Sequence, residues 1–283
     1  MIWQCRNHRF AFPRLPLVMG IVNVTPDSFS DGGLFQQTEA AVAHGLCLAD
    51  AGADILDVGG ESSRPGARPV PAEEELARVL PVVEALAARG TVAVSVDTTK
   101  ADVARRCLAA GASIVNDITA LTGDPEMGRV VASFGAGVVL MHMQGTPENM
   151  QDDPLYDDVV TEVADYLEVR LEQVAEQGIS AECIAIDPGI GFGKTVAHNL
   201  ELLRNLERFG GLGRPLCLGV SRKGFVGRVL GRPLNERLPG SLACAAYALG
   251  RGAAQILRVH DVAATRDLVR MFEAIENPSP FVR

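Results

Sequence analysis

Eight short apolar runs rich in Ile, Leu and Val punctuate the chain: LVMGIVNV (17–24), AGADILDV (51–58), VAVSVD (92–97), AGASIVND (110–117), FGAGVVLM (134–141), CIAID (183–187), PLCLGV (215–220) and RGAAQILRV (251–259). Each is too brief for a helix and bounded by Gly, Pro or a polar residue, which predicts buried strands. Four of them open on a glycine that reads as the end of the preceding helix. Between many of the runs the spacing changes from continuous to three-four: from Tyr156 to Gly178, residues Val160, Val163, Leu167, Leu171 and Val174 form one apolar face. Strand and helix alternate eight times without a composition break or a linker, which predicts a single (β/α)8 TIM barrel over residues 1–283 in the α/β class. A doubly wound open sheet is the alternative, and the regular units offer it no edge at which to stop.

Polar residues stand at the end of every run: Asn23, then Asp57 and Glu61, Asp97, Asn116-Asp117, His142 and Gln144, Asp187, Ser221-Arg222-Lys223, and Arg258 with His260. In a barrel these positions converge on the C-terminal face, where barrel active sites lie.

The sixth of these junctions reads DPGIGFGKT (187–195). It has neither the Walker spacing nor the dinucleotide fingerprint, because Pro188 and Lys194 stand where glycines are needed. Three alternate glycines, Gly189, Gly191 and Gly193, instead suit a loop that must hug a ligand or another loop. Asp187 then reads either as a helix N-cap or as a carboxylate directed into the barrel mouth.

Composition narrows the partners. With 26 Lys and Arg against 35 Asp and Glu, the net charge is −9, and no basic run interleaved with aromatics suggests nucleic acid. No stretch is long and apolar enough to span a membrane, the first residues lack a signal-peptide core, and the six cysteines are scattered without a C-x-x-C. A cytoplasmic protein is expected.

The candidate chemistry divides in two. Asp97, Asn116 and Asp187 offer acceptors and one amide donor, which suits the guanidine-like edge of a heterocycle such as a pterin or guanine. Arg222, Lys223, Arg258 and His260 gather positive charge on the last two loops, the usual phosphate side of a barrel. Alternation places Arg258 and His260 on one side of their strand and Leu257 and Val259 on the other. Two long loops rich in Gly, Pro and Ser, GIVNVTPDSFSDGG (20–33) and GGESSRPGARP (59–69), mix hydroxyls with charge and can close over a substrate.

With those residues in place, the chain resembles the dihydropteroate synthase family over nearly its whole length. The matching stretches are NVTPDSFSDGG, GGESSRPGA, SVDTTK, VND, MHMQGTP, DPGIGFGKT, GVSRKGF and RVHDV, with Ser63 where the family usually has threonine. The resemblance implies condensation of a 6-hydroxymethyl-7,8-dihydropterin diphosphate with p-aminobenzoate, releasing pyrophosphate. It implies that Asp97, Asn116, Asp187 and Lys223 hold the pterin, that Ser63, Arg64, Arg258 and His260 hold the diphosphate, and that Asn23 ligates Mg²⁺. Phe29 and Pro65 would flank the aniline ring, and Ser221, read as a helix N-terminus, would meet its carboxylate. Asp97, Lys223 and Arg258 would carry the catalytic work, in a homodimer. Two other functions share the pterin contacts, a pterin-dependent methyltransferase module and a non-catalytic pterin-binding paralogue. The first has no use for cations suited to a diphosphate; the second does not require both polar loops intact.

Overall fold

The computed structural model describes residues 1–25 and 34–278. All eight expected strands form: β3 (Leu17–Asn23), β4 (Ile55–Gly59), β5 (Ala93–Asp97), β6 (Ile114–Asp117), β7 (Gly137–Met141), β8 (Ile184–Asp187), β9 (Cys217–Leu218) and β10 (Ile256–Val259). They make one parallel sheet in the order β8-β7-β6-β5-β4-β3-β10-β9. An Ile186–Leu216 bridge joins its two ends and closes the barrel.

The seventh strand is shorter than its apolar run. Pro215 has no N–H to give, and the Leu216 amide goes to the Gln255 side chain at 2.9 Å, so the ladder is satisfied there without regular pairing. Along each strand, side chains alternate between barrel interior and helix-facing exterior. Leu17, Met19, Ile55, Ala93, Ile114, Val139, Ala185, Cys217 and Ile256 pack together in the lower interior. One step further along the same inward rows stand Asp57, Ser95 and Asp97, Asn116, Asp187 and Arg258. The barrel is therefore apolar below and polar towards its mouth. Leu56, Val58, Val94, Val96, Val115, Val138, Leu257 and Val259 face the other way into the core beneath the helices.

The helices are α1 (Leu34–Asp50), α2 (Ala72–Ala87), α3 (Ala101–Ala109), α4 (Met127–Phe134), α5 (Val159–Glu176), α6 (Val196–Arg204), α7 (Glu207–Gly210), α8 (Gly224–Leu230), α9 (Leu238–Gly250) and α10 (Val262–Glu276). α5 starts later than its apolar pattern, because Asp158 caps it by accepting from Val160 N and Thr161 N, each at 3.0 Å. Tyr156 lies outside the helix and its hydroxyl donates to Gly193 O at 2.8 Å.

An N-terminal hairpin was not legible in the pattern of runs. β1 (Ile2–Cys5) pairs antiparallel with β2 (His8–Ala11). Trp3 is fully buried among the lower interior residues, and its indole N–H donates to Cys183 O at 3.0 Å. The hairpin thus plugs the end of the barrel opposite the polar mouth.

Candidate active site

The parallel register sets the polar residues side by side. Asn23 pairs with Gly59, Gly59 with Asp97, and Asp97 with Asn116, one row across four neighbouring strands. Gly59 lies beside Asp97: a β-carbon there would be in van der Waals contact with that of Asp97, at 3.4 Å.

At the centre lies an ion cluster. Arg258 donates through Nε to Asp57 Oδ2 at 2.7 Å and through Nη2 to Asp97 Oδ2 at 2.5 Å. Asn116 Nδ2 donates to the same Asp57 oxygen at 3.0 Å. Burial by itself would lower the Arg258 pKa, but Asp57 and Asp97 raise it, so the guanidinium stays charged. Burial pushes the Asp97 carboxyl upward and Arg258 opposes it.

Asp187 ends β8 with its carboxylate buried. Oδ1 accepts from Gly189 N at 2.7 Å, and burial raises its pKa against the pull of that N–H, Lys223, Arg258 and Lys194. The glycines behind it answer to close approach. Gly189, Gly191 and Gly193 all take positive φ, of 68°, 84° and 57°. A β-carbon would fall 1.8 Å from His142 O at Gly189, 3.0 Å from Lys223 Cδ at Gly191 and 2.4 Å from Gln144 O at Gly193. The sixth loop therefore lies directly on the fifth, and side chains would hold the two apart.

Lys223 is the N-cap residue of α8, and its ammonium sits 3.9 Å from the centre of the Phe192 ring. Burial lowers its pKa to about 8, with Asp187 partly restoring it, Arg258 lowering it further and Asp97 raising it. The charged form is present below that value and lost above it. Binding or turnover that depends on the ammonium should therefore show a falling limb as pH rises through about 8. Lys223→Arg should carry that limb beyond pH ~10, since a guanidinium does not titrate there. A limb unmoved by Lys223→Arg would assign the titration elsewhere.

His260 and Ser221 form a second pair. Ser221 Oγ accepts from His260 N at 3.1 Å and lies 3.1 Å from its Nδ1. Burial first, then Arg258 and Arg222, lower the His260 pKa to about 4, so the ring is neutral at pH 7.

Two readings of the sequence are corrected. Ser221 is not at a helix N-terminus: α8 begins at Gly224 behind the cap Lys223, after a turn in which Arg222 takes a φ of 56°. Arg222 does not join the cations of the mouth, because its guanidinium forks onto Asp261, Nε to Oδ2 at 2.9 Å and Nη2 to Oδ1 at 2.5 Å. The second loop is anchored at three points: Glu61 accepts from Val70 N at 2.8 Å and from Lys100 Nζ at 2.5 Å, and Gly66 N donates to Pro147 O at 2.9 Å.

Asp97, Asn116 and Arg258 thus meet through direct contacts around Asp57, and Asp187 and Lys223 bear on them electrostatically. Ser63 is half-buried on the second loop, whereas Arg64 and Pro65 are exposed there and do not reach the cluster. Asn23 is half-buried at the end of β3, and Phe29 lies outside the described residues.

Lys194 was not singled out from the sequence, where it reads as the last charge of a surface loop. It is 2% exposed, with Nζ 2.9 Å from His142 Nδ1 and donating to Phe192 O at 3.0 Å. His142 is consequently a partner in loop packing, as is Gln144, which exchanges hydrogen bonds of 2.9 and 3.0 Å with Leu155.

Comparison with known proteins agrees with this geometry. The family described as pterin binding enzyme matches residues 19–260, from the first barrel strand to the His260 pair. The chain is 50% identical to dihydropteroate synthase of Escherichia coli K12 over 259 residues, 92% of this chain and 91% of the relative. It superposes on Xanthomonas albilineans dihydropteroate synthase solved with 4-aminobenzoic acid at a TM-score of 0.91, with 49% identity and 98% of each chain covered. The Xanthomonas albilineans enzyme in complex with 7,8-dihydropteroate gives a TM-score of 0.88 at 46% identity, covering 98% of this chain and 99% of that one. Half identical to a dihydropteroate synthase along nine-tenths of its length, and matched by the pterin binding enzyme family from residue 19 to residue 260, the chain belongs to the dihydropteroate synthase family, transferases of folate biosynthesis.

Proposed function

We propose that residues 1–283 act as one pterin-binding unit in which the mouth is divided between two subsites. Asp97, Asn116 and Asp187, with Lys223 over the ring, take the pterin of 6-hydroxymethyl-7,8-dihydropterin diphosphate. Arg258 and His260, joined by Ser63 and Arg64, take its diphosphate. p-Aminobenzoate enters last, against Pro65 and Phe29, with Ser221 near its carboxylate. The observation that carries this division is the Arg258 guanidinium, which touches Asp97 of the pterin group and lies two residues from His260 on the same side of the strand.

The bond between the pterin methylene carbon and the diphosphate oxygen breaks, its electron pair leaving with pyrophosphate. The neutral aryl amine supplies the pair that forms the new C–N bond and then gives its proton to solvent. No side-chain nucleophile is needed. Arg258 and His260 meet charge that grows on the departing diphosphate, and the carboxylates of Asp97 and Asp187 meet positive charge spread into the pterin.

Asn23 offers a neutral amide oxygen at the end of β3, and among the described residues no group of three or more His, Cys, Asp or Glu could hold a metal alone. That donor chemistry fits Mg²⁺, which takes few protein ligands and completes its shell with waters and substrate phosphates. When bound, the ion would neutralise charge on the leaving group. Pyrophosphate release should therefore require Mg²⁺, and net dihydropteroate formation should require both the pterin diphosphate and p-aminobenzoate. Undiminished turnover in excess chelator would remove Asn23 from the metal's shell.

A homodimer is part of the same reading. Val229 and Leu230 on α8, Tyr247 on α9, and Met271 and Ile275 on α10 are exposed apolar side chains on neighbouring helices. They supply an apolar face that a second copy would cover. Sedimentation at assay concentration should find two copies, and a monomer there would refute it. Cytoplasmic residence is supported by six unpaired cysteines. Among the described residues, no helix is long and apolar enough to cross a membrane.

A further inference from the structure

Asp57 has no part in the assignments above, yet it lies beneath both subsites. It is fully buried on the inward face of β4. Its Oδ2 accepts from Arg258 Nε at 2.7 Å and from Asn116 Nδ2 at 3.0 Å. Its Oδ1 is buried without a hydrogen-bond partner among the described residues. A buried carboxylate with one oxygen unsatisfied is a poor device for stability alone, since the same volume of amide or apolar side chain avoids the desolvation of a charge.

The two contacts fix two orientations. An ionised carboxylate only accepts hydrogen bonds, so Asn116 must turn its NH₂ to Asp57 and direct its carbonyl oxygen elsewhere. That leaves Oδ1 of Asn116 as an acceptor for a pterin N–H. Arg258 meets Asp57 through Nε, the nitrogen nearest its own chain, which leaves both terminal nitrogens at the outer end of the fork. One of these is held by Asp97 at 2.5 Å. When the pterin claims Asp97, that contact is the one given up, and the Asp57–Nε contact keeps the guanidinium in place for the diphosphate.

We propose that Asp57 is a positioning residue for the transfer reaction, holding Arg258 and Asn116 so that the diphosphate and the pterin are engaged in one register. The proposal rests on the assignment of Arg258 to the diphosphate and Asn116 to the pterin.

A double-mutant cycle on Mg²⁺–pyrophosphate affinity, measured by calorimetry on the full chain, tests it. Asp57→Asn keeps the shape of the side chain and removes the charge. It should lower pyrophosphate affinity about tenfold, as for other residues that orient a ligand-bearing group, and turnover about 100-fold through misplacement of Arg258. KM for p-aminobenzoate, measured with the pterin diphosphate saturating, should stay within about twofold, because the aniline ring is assigned to the loop residues and not to the cluster. In an Arg258→Met background the same substitution should cause no further loss of pyrophosphate affinity, because its effect passes through Arg258. Where Arg258→Met does not fold, as judged by thermal melting, Arg258→Lys takes that corner of the cycle. Equal, additive losses in both backgrounds mark Asp57 as a structural carboxylate and overturn the proposal. Arg258→Met with undiminished pyrophosphate affinity overturns the diphosphate assignment itself, and the route proposed for Asp57 with it.

Discussion

Asp187→Ala should weaken pterin binding by roughly 2–5 kcal/mol, a loss of about 30- to 5,000-fold, because it deletes one partner of a buried, charge-assisted pair. The magnitude follows from burial: Asp187 is 6% exposed, and a paired N–H edge on a heterocycle would replace solvent that the carboxylate lacks. The substitution also removes the acceptor for Gly189 N, so the sixth loop loses an internal bond of 2.7 Å. Asp187→Asn separates the two effects. The amide oxygen can still accept from Gly189 N, while the other position becomes a donor facing the pterin's own donors. Asn should therefore restore the melting temperature of the protein and recover only part of the affinity. Calorimetry showing equal pterin affinity in folded Asp187→Ala and the parent chain would contradict the role given to this residue.

p-Aminobenzoate should bind at least about tenfold more tightly when Mg²⁺–pyrophosphate and a pterin already occupy the mouth, a coupling of ~1.4 kcal/mol or more. Pro65 is exposed on the second loop beside Arg64, so a ring packed against it would need that loop to come over the mouth. A diphosphate between Arg258 and Arg64 would draw that loop inward. The anchors at Glu61, Val70 and Gly66 limit what must be ordered to the few residues between them, which lowers the entropic cost below that of a wholly loose loop. Phe29, the other expected wall, lies outside the described residues. Equilibrium binding of p-aminobenzoate at fixed pterin, with and without pyrophosphate and Mg²⁺, measures the coupling, and Arg64→Ala should abolish most of it. Equal affinity in both conditions would mean that the ring site is preformed.

Much of this was readable from the chain because a barrel converts sequence period into position. Each apolar run had to be a strand buried on both faces, and the polar residue ending it had to stand at the mouth. That logic located Asn23, Asp97, Asn116, Asp187 and Arg258 without any contact being known. It failed where a residue's partner comes from another loop. Arg222 and Lys223 are adjacent cations in the sequence, but a left-handed turn sends the first to Asp261 and leaves the second over Phe192. Lys194 looks solvated by its neighbours, yet the glycines beside it let the fifth and sixth loops close around its ammonium. Asp57 falls at the mouth by the same logic, but its partner was not legible: only the strand order, with β10 and β4 on either side of β3, brings Arg258 across to it. The β1–β2 hairpin was missed because its four-residue strands carry no sustained alternation.

The central claim is that one polar mouth is divided into a pterin subsite and a diphosphate subsite. It is tested most directly by titrating two ligands separately, a 6-hydroxymethylpterin without phosphates and Mg²⁺–pyrophosphate, into the parent chain, Asp187→Ala and His260→Ala. The account predicts a crossed pattern, with Asp187→Ala losing the pterin and keeping pyrophosphate, and His260→Ala losing pyrophosphate and keeping the pterin. Folded variants that lose both ligands together, or neither, would contradict it.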